Sequence, residues 1–359
     1  MRQTLRVSLG GHALRLRISN EYGDRPLQVD AASVALPSHG ADIVAGSAKP
    51  LTVRGQQHFV VGVGESVLTD ALPLQLAARQ ALSVSLYFSR GTGISTIHST
   101  GMQNAYTQWR RDGTRAAALH VDEKDDSRYF VTDVDVLTDA HAQAVVAVGD
   151  STTDGVGIAL DSDTRWTDQL AQRLQQEPGL RDVAIVNAGM SGNRILNDAR
   201  DPFLGPRTLK RFERDALSKP GVKWIVLLQG INDITASGMF ADEPAQRVTA
   251  ARLIAAMQQL VERAHSRGVR VMGATLLPRE GAQGARAHTP AGEALRQELN
   301  AWIRDGGGFD AVVDFDRVLR DPERPDRQRP ELNSGDFSHP NAAGYAAMAQ
   351  AIDLQHFKH

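Results

Sequence analysis

The sequence predicts two domains, an antiparallel β-sandwich over residues 1–140 and a three-layer α/β domain with a parallel sheet over residues 141–359. The chain of 359 residues is long for one domain. Short segments with a period of two residues, separated by glycine and proline, dominate the first part. In the second part, continuous apolar segments alternate with amphipathic ones, which is typical of a parallel sheet covered by helices on both faces.

In the first part, apolar and polar residues alternate over residues 14–19 and 82–87, as in half-buried strands. Gly10 and Gly11 predict a hairpin turn between the first two strands. Further strands are expected near residues 58–61, 94–98, 104–107 and 128–136. Many short strands of this kind predict an antiparallel sandwich. The linker between the domains is expected within residues 137–143.

The second part begins with the apolar run 145–148, and its periodicity predicts the elements that follow. Later strands are expected at residues 183–188, 224–228, 269–276 and 311–315. Helices are expected near residues 164–176, 207–218, 243–266 and 291–304, with a last one after Pro340. Residues 279–288, rich in Gly, Ala and Arg, are either a loop over a site or a plain surface connection.

Composition excludes several classes of function. The formal charge is -2, from 40 basic and 42 acidic side chains, so the chain has no net positive charge to attract nucleic acid or membrane phosphate. The absence of cysteine excludes disulfides, thiolate nucleophiles and cysteine-ligated zinc. No run approaches the roughly 18 apolar residues that a membrane-spanning helix needs. The 11 histidines form no His-Glu-x-x-His or clustered His-Asp spacing, so a metallohydrolase is not supported.

Polar motifs follow the predicted strands of the second part, and another lies near the C-terminus. In chain order they are Gly149-Asp150-Ser151, Gly189-Met190-Ser191-Gly192-Asn193, Gly230-Ile231-Asn232-Asp233 and Asp336-Phe337-Ser338-His339-Pro340. Ligands of open α/β sheets bind outside the carboxyl ends of the strands. We therefore expect the first three motifs to meet at one edge of the sheet, where the last can fold back.

The residue types in these motifs suit acyl transfer. Ser151 is a candidate nucleophile, His339 the base that would take its proton, and Asp336 the carboxylate that would orient the imidazole. The N–H groups of Ser151 and Gly192 and the amide of Asn232 are candidate oxyanion donors. Each motif also has a structural interpretation on its own, because such residues cap helices, form Asx turns or relieve strain in a turn.

The four motifs, in their order and approximate spacing, resemble the signature blocks of the SGNH (GDSL) hydrolases over about residues 144–355. The resemblance implies a flavodoxin-like α/β/α fold, no metal or other cofactor, and hydrolysis of esters. It implies Ser151, Asp336 and His339 as the catalytic triad and Ser151, Gly192 and Asn232 as the oxyanion hole. Thr152 departs from the family pattern, which commonly has Leu or Ile there, so the packing around this position is open.

The first part resembles the β-rich, jelly-roll-like extension of some exported bacterial SGNH esterases. Those relatives begin further upstream, which favours a secreted or periplasmic protein whose leader is missing, although a cytoplasmic protein is also consistent with the start at Met1.

The expected function is a carboxylesterase or acetylesterase that cleaves short acyl esters of small molecules or carbohydrates. The low aromatic content of 5% favours short acyl groups over lipids. The alternatives are a lipase or phospholipase of the same family, and a carbohydrate-binding protein with an inactive hydrolase scaffold. The sequence does not identify an oligomeric state.

Overall fold

A computed structural model describes residues 1–138, 141–282 and 288–358. They form two compact units, one of Met1–His141 with Leu160–Ser162 and one of Ala142–Ala159 with Asp163–His359. Residues 139 and 140, at the predicted domain boundary, and residues 283–287, in the predicted loop at 279–288, lie outside the described residues. The division at residues 140 and 141 therefore stays a prediction.

The first unit is built from short antiparallel strands. They are β1 (Arg2–Arg6), β2 (Gly11–Ser19), β3 (Leu27–Val29), β4 (Ala31–Ala35), β5 (Lys49–Pro50), β6 (Phe59–Val61), β7 (Ser66–Leu68), β8 (Leu72–Leu76), β9 (Ala81–Tyr87), β10 (Ile97–His98), β11 (Ala105–Thr107), β12 (Glu123–Asp125), β13 (Arg128–Tyr129) and β14 (Val131–Leu137). One sheet has the order β12-β11-β1-β9-β4-β5, and β14, β2, β7 and β8 form another. Two smaller pairs, β10 with β13 and β3 with β6, complete the unit.

The two larger sheets share one apolar core. Leu16 and Ile18 of β2 are buried together with Val84 and Leu86 of β9, which lies in the other sheet. The alternation read from the sequence thus buries one face of each strand. This arrangement confirms the predicted antiparallel β-sandwich.

The predicted hairpin at Gly10 and Gly11 is wrong, because β1 and β2 lie in different sheets. The glycines are needed for close backbone approach instead. A Cβ on Gly10 would lie 2.7 Å from the carbonyl oxygen of Leu76, and one on Gly11 would lie 2.3 Å from that of Leu137. Glycine therefore lets the chain pass from one sheet to the other at this point.

The second unit contains a parallel sheet. Its strands are β15 (Gln143–Gly149), β16 (Val183–Gly189), β17 (Val222–Leu228), β18 (Arg270–Ala274) and β19 (Ala311–Val313), in the order β16-β15-β17-β18-β19. This order is flavodoxin-like and confirms the predicted α/β domain. The register pairs Gly149 with Gly189 on one side and with Leu228 on the other, so three strands end at the same edge.

Helices connect and flank the parallel strands. They are α1 (Ser151–Asp154), α2 (Trp166–Gln176), α3 (Thr208–Phe212), α4 (Ile231–Met239), α5 (Ala250–His265), α6 (Pro290–Asp305), α7 (Phe315–Leu319) and α8 (Ala342–Ala351). A π-helical turn, Glu213–Leu217, follows α3 directly. Over the residues described, no helix is long and apolar enough to cross a membrane.

Several helices differ from the sequence-based expectation, and α1 and α7 are among those that it lacks. The helix expected from residue 243 begins at Ala250, because the Thr249 hydroxyl accepts a hydrogen bond from the Arg252 N–H and caps the helix there. The helix expected over 207–218 continues past Phe212 in π geometry. Helix α4 was not predicted, because its polar first turn directly follows a strand and resembles an isolated turn in the sequence.

Candidate active site

Ser151 lies at the point where the buried strand β15 turns into α1. Asp150 caps this short helix, since its carboxylate accepts the Thr152 N–H at 3.1 Å. A Cβ on Gly149 would lie 3.2 Å from the carbonyl oxygen of Leu228, which leaves little room for any other residue there. The N–H of Ser151 has no acceptor among the described residues. The turn therefore presents a hydroxyl and an open N–H at the carboxyl edge of the sheet.

The loop that carries His339 is held by hydrogen bonds to its own backbone. One carboxylate oxygen of Asp336 accepts the N–H groups of Ser338 and His339, each at 2.8 Å. The side-chain oxygen of Asn333 accepts the N–H groups of Gly335 and Phe337 at 2.7 and 3.1 Å. These bonds stabilise the conformation of the loop that carries His339.

Three predicted residues are joined by direct hydrogen bonds. The second carboxylate oxygen of Asp336 lies 2.5 Å from Nδ1 of His339, and Nε2 of the same ring lies 2.7 Å from Oγ of Ser151. Burial raises the pKa of Asp336, but the hydrogen bonds from the His339 ring and from the loop N–H groups lower it more, and the net pKa is well below its usual range. The carboxylate is therefore ionised in neutral solution, beside an imidazole that can accept the Ser151 proton.

Gly192 lies in the turn after β16, in the left-handed region at a φ of 73°. A Cβ there would lie 2.7 Å from a methyl carbon of Leu204. The preceding residue, Ser191, donates its N–H and its hydroxyl to the Asp154 carboxylate at 2.8 and 2.7 Å, which ties the turn to α1. Within the described part of the chain, the Gly192 N–H has no acceptor.

Asn232 lies in the first turn of α4, directly after β17. Its side-chain amide donates to the carbonyl oxygen of Asn193 at 3.1 Å, and its second N–H makes no hydrogen bond to a described residue. The neighbouring Asp233 accepts the N–H groups of Ile195 and Leu196 at 2.8 and 3.0 Å. Burial raises the pKa of Asp233 to about 6. A hydrogen bond thus ties Asn232, in α4, to the turn that contains Gly192, although neither residue is hydrogen-bonded to Ser151.

Arg211 is a residue of this region that the sequence analysis missed. Its fully buried guanidinium donates to the carbonyl oxygens of Gly149 and Ala188 at 3.0 and 2.8 Å and to the side-chain oxygen of Asn193 at 2.9 Å. Asp215 pairs with it at 3.2 Å. One side chain therefore connects the ends of β15 and β16 to the turn after Gly192. The spacing of four residues to Asp215 indicates a helical ion pair, but nothing in the sequence indicates its burial.

A cleft of about 320 Å³ lies beside Ser151 and His339. Leu228, Ile231 and Leu276 give it apolar walls, and Arg279 lines it as well. Thr152, the departure from the family pattern, is buried and also lines the cleft. Gly192 and Asn232 do not line it.

The model of the GDSL-like lipase/acylhydrolase family matches residues 147–347. The chain belongs to this family. As a GDSL-like acylhydrolase it is an enzyme, and the predicted recognition is confirmed. Comparison with curated protein sequences found no match.

Solved structures of two esterases and of a GDSL-like lipase are similar to this acylhydrolase at low identity. An aryl esterase from M. smegmatis is 18% identical over 60% of this chain and 99% of its own, with a TM-score of 0.46. An acetyl xylan esterase from Geobacillus stearothermophilus is 20% identical over 59% of this chain and 93% of its own, with a TM-score of 0.45. A GDSL-like lipase from Bacteroides thetaiotaomicron is 17% identical over 58% of this chain and 85% of its own, with a TM-score of 0.41.

Proposed function

We propose that this acylhydrolase is a serine esterase that cleaves short acyl esters, including acetyl groups on carbohydrates, through an acyl-enzyme at Ser151. The observation that supports this most is the hydrogen-bonded series from Asp336 through His339 to Ser151, with contacts of 2.5 and 2.7 Å. A serine hydroxyl is a weak nucleophile until an adjacent base takes its proton, and this series supplies one.

In the proposed reaction, Oγ of Ser151 attacks the ester carbonyl while Nε2 of His339 accepts the hydroxyl proton. Asp336 stabilises the imidazolium that forms, and the imidazolium then gives its proton to the leaving alcohol as the ester C–O bond breaks. Water repeats the sequence on the acyl-enzyme, with His339 again as base, and releases the acid. No other reactant is required.

The negative charge of the tetrahedral intermediate would be met by three N–H donors. These are the backbone groups of Ser151 and Gly192 and the second amide N–H of Asn232, each without an acceptor among the residues described. Such open donors are what an oxyanion hole requires, because donors already in hydrogen bonds would first have to break them. We assign Ser151, Gly192 and Asn232 to this role.

The preference for short acyl groups is supported by the walls of the cleft beside Ser151, which include Leu228, Ile231, Leu276 and Leu277. Its aliphatic walls suit a small apolar acyl chain. We further propose residues 141–359 as the catalytic domain and residues 1–140 as an accessory domain. Export of the protein, which the likeness of residues 1–140 to exported esterases favours, is testable by fractionating cells.

The test is hydrolysis of acetyl, butyryl and octanoyl esters and of acetylated glycans by the wild type and by Ser151→Ala. We expect the highest kcat/KM on the short esters and no turnover by the variant. Thermal unfolding should change little, because one hydrogen bond contributes only about 1 kcal/mol. Ser266→Ala is the matched control and should keep full activity. It removes an exposed hydroxyl that donates to the backbone carbonyl oxygen of Arg263. Turnover by Ser151→Ala would refute the assignment of the nucleophile, and a preference for octanoyl esters would favour a lipase.

A further inference from the structure

Arg279 places a half-buried positive charge in the wall of the cleft beside Ser151. It follows the buried residues Leu276 and Leu277, which continue the chain beyond β18 towards the carboxyl edge of the sheet. The rest of the cleft wall combines aliphatic residues with polar ones; the aliphatic residues are Leu228, Ile231, Leu276 and Leu277, and the polar ones are Asp150, Ser151, Thr152, Ser338 and His339. A half-buried charge is costly unless it has a partner, so the contacts of Arg279 decide what it does.

The direct partners of Arg279 are neutral. Its Nε and Nη2 both donate to the Ser338 hydroxyl, at 3.3 and 3.0 Å, and its Nη1 donates to the Thr235 hydroxyl at 2.9 Å. A guanidinium has five N–H groups, so these bonds leave two of them open to a ligand. In the described part of the chain, no carboxylate forms an ion pair with it. Arg211, by contrast, is paired with Asp215 at 3.2 Å.

Two carboxylates act on Arg279 without a hydrogen bond to it. Asp336 binds His339 and two loop N–H groups, whereas Asp150 caps α1 with one oxygen and has its other oxygen buried without a hydrogen bond to a described residue. Both act on Arg279 through space and raise its pKa, although burial lowers that pKa more strongly. The open N–H groups of Arg279 thus remain available to an anion from outside the chain.

A second cleft of about 300 Å³ has Arg279 in its wall too, and shares Ile231 with the cleft beside Ser151. His288 also lines it, and its buried Nε2 makes no hydrogen bond to any described residue. The carboxylate of Glu293, 3.8 Å from that nitrogen, is bound by Arg296 at 2.6 and 2.8 Å. A polar ligand in this cleft therefore meets the open N–H groups of Arg279 and an imidazole nitrogen without a hydrogen bond, beside the Glu293 carboxylate that Arg296 neutralises.

We propose that Arg279 is a specificity-determining residue that selects esters carrying a carboxylate, with the carboxylate bound in the second cleft while the ester carbonyl lies at Ser151. This inference rests on the proposed esterase function and adds the chemical class of substrate. Arg279 keeps one open N–H on each of Nη1 and Nη2, and charged N–H donors of this kind bind the oxygens of a carboxylate well. The carboxylate belongs either to the acyl part or to the alcohol part of the ester, and the experiment separates these two.

The experiment compares kcat/KM for two pairs of esters. The acyl pair is the 4-nitrophenyl monoester of glutaric acid against 4-nitrophenyl valerate, and the alcohol pair is 3-acetoxybenzoate against 3-acetoxybenzamide. We expect the wild type to prefer the anionic member of one pair about 10-fold or more, mainly through a lower KM, as a charged hydrogen bond implies. The pair that shows the preference identifies the part of the ester that carries the carboxylate.

Variants of Arg279 test whether this residue causes the preference. We expect Arg279→Gln to reduce the ratio between the anionic and neutral esters to about 1, and Arg279→Lys to keep part of it because the charge remains. Arg267→Gln, which removes an exposed arginine paired with Glu213 at 2.7 Å, should keep the wild-type ratio and controls for net charge.

Two results would overturn the inference. One is a wild type whose kcat/KM is no higher for the anionic member than for the neutral member in either pair. The other is a fall in kcat/KM in Arg279→Gln that is equal for both members of each pair. An equal fall is the result expected if Arg279 only holds Ser338 in place. Failure of the esterase function is distinguishable, since it would appear as no hydrolysis of any ester or as turnover by Ser151→Ala.

Discussion

Replacement of Asp336 by asparagine separates the charge of this residue from its shape. The carboxylate uses one oxygen for the N–H groups of Ser338 and His339 and the other for Nδ1 of His339. An amide has only one oxygen. If the amide oxygen faces the N–H groups of Ser338 and His339, it accepts two hydrogen bonds of 2.8 Å. If it faces Nδ1 of His339 instead, it accepts only one, so we expect the first orientation.

The amide nitrogen would then face Nδ1 of His339 and donate to it, which favours the tautomer with its proton on Nε2. In that tautomer Nε2 cannot accept the Ser151 proton. Flipping the amide restores the working tautomer but leaves two backbone N–H groups without acceptors, at about 1–3 kcal/mol each for buried groups and less for this half-exposed loop. The lost charge-assisted bond to the imidazolium adds about 1.5–3 kcal/mol.

These contributions sum to about 4–6 kcal/mol in the transition state, or a fall in kcat of about 10³- to 10⁴-fold. The assay is steady-state hydrolysis of a short chromogenic ester at pH 7.5, with urea unfolding to confirm an intact fold. Asp353→Asn is the matched control, because that exposed carboxylate also accepts a backbone N–H, that of Gln355 at 2.9 Å, and caps a 3₁₀ turn. A kcat for Asp336→Asn within 10-fold of the wild type would refute the reasoning.

Two further predictions concern Asn232 and Asp233, in the first turn of α4. Asn232→Ala should lower kcat by about 10²- to 10³-fold with little change in KM, because the lost donor acts on charge that develops only in the transition state; a loss confined to KM in steady-state assays would contradict this. The pKa of Asp233 rises from 3.8 to about 6 on folding. The native state therefore binds more protons than the unfolded state between these values, and the free energy of unfolding should fall by up to about 3 kcal/mol as the pH rises through this window. Urea unfolding from pH 4 to 7 should show this fall in the wild type and not in Asp233→Asn. If the free energy of unfolding changed with pH in the same way in both proteins, the prediction would be contradicted.

The elements that the sequence predicted well are those with a strong local signal. The apolar run before Gly149 has no polar residue to break it, and the structure buries the whole of β15. The order of the polar motifs along the chain predicted that Ser151, Asp336 and His339 would meet, because parallel strands end at one edge. Their hydrogen-bonded geometry agrees with that expectation, while their catalytic roles stay a proposal.

The features that the sequence did not predict depend on contacts between distant segments. Gly10 and Gly11 look like a hairpin turn, but pairing with β9 places β1 in another sheet. Arg211 and Arg279 look like ordinary surface cations, since a charged side chain carries no local signal of burial. Only the fold shows that Arg211 connects three backbone segments and that Arg279 lines the cleft.

The most direct test of the account is covalent labelling with a fluorophosphonate, which reacts only with a serine that a neighbouring base activates. We expect one phosphonyl group per chain, located by peptide mass spectrometry on Ser151. Labelling should be absent from Ser151→Ala and strongly slowed in His339→Ala. An adduct on another serine, such as Ser338 or Ser191, or ester hydrolysis that continues after complete labelling, would contradict the account.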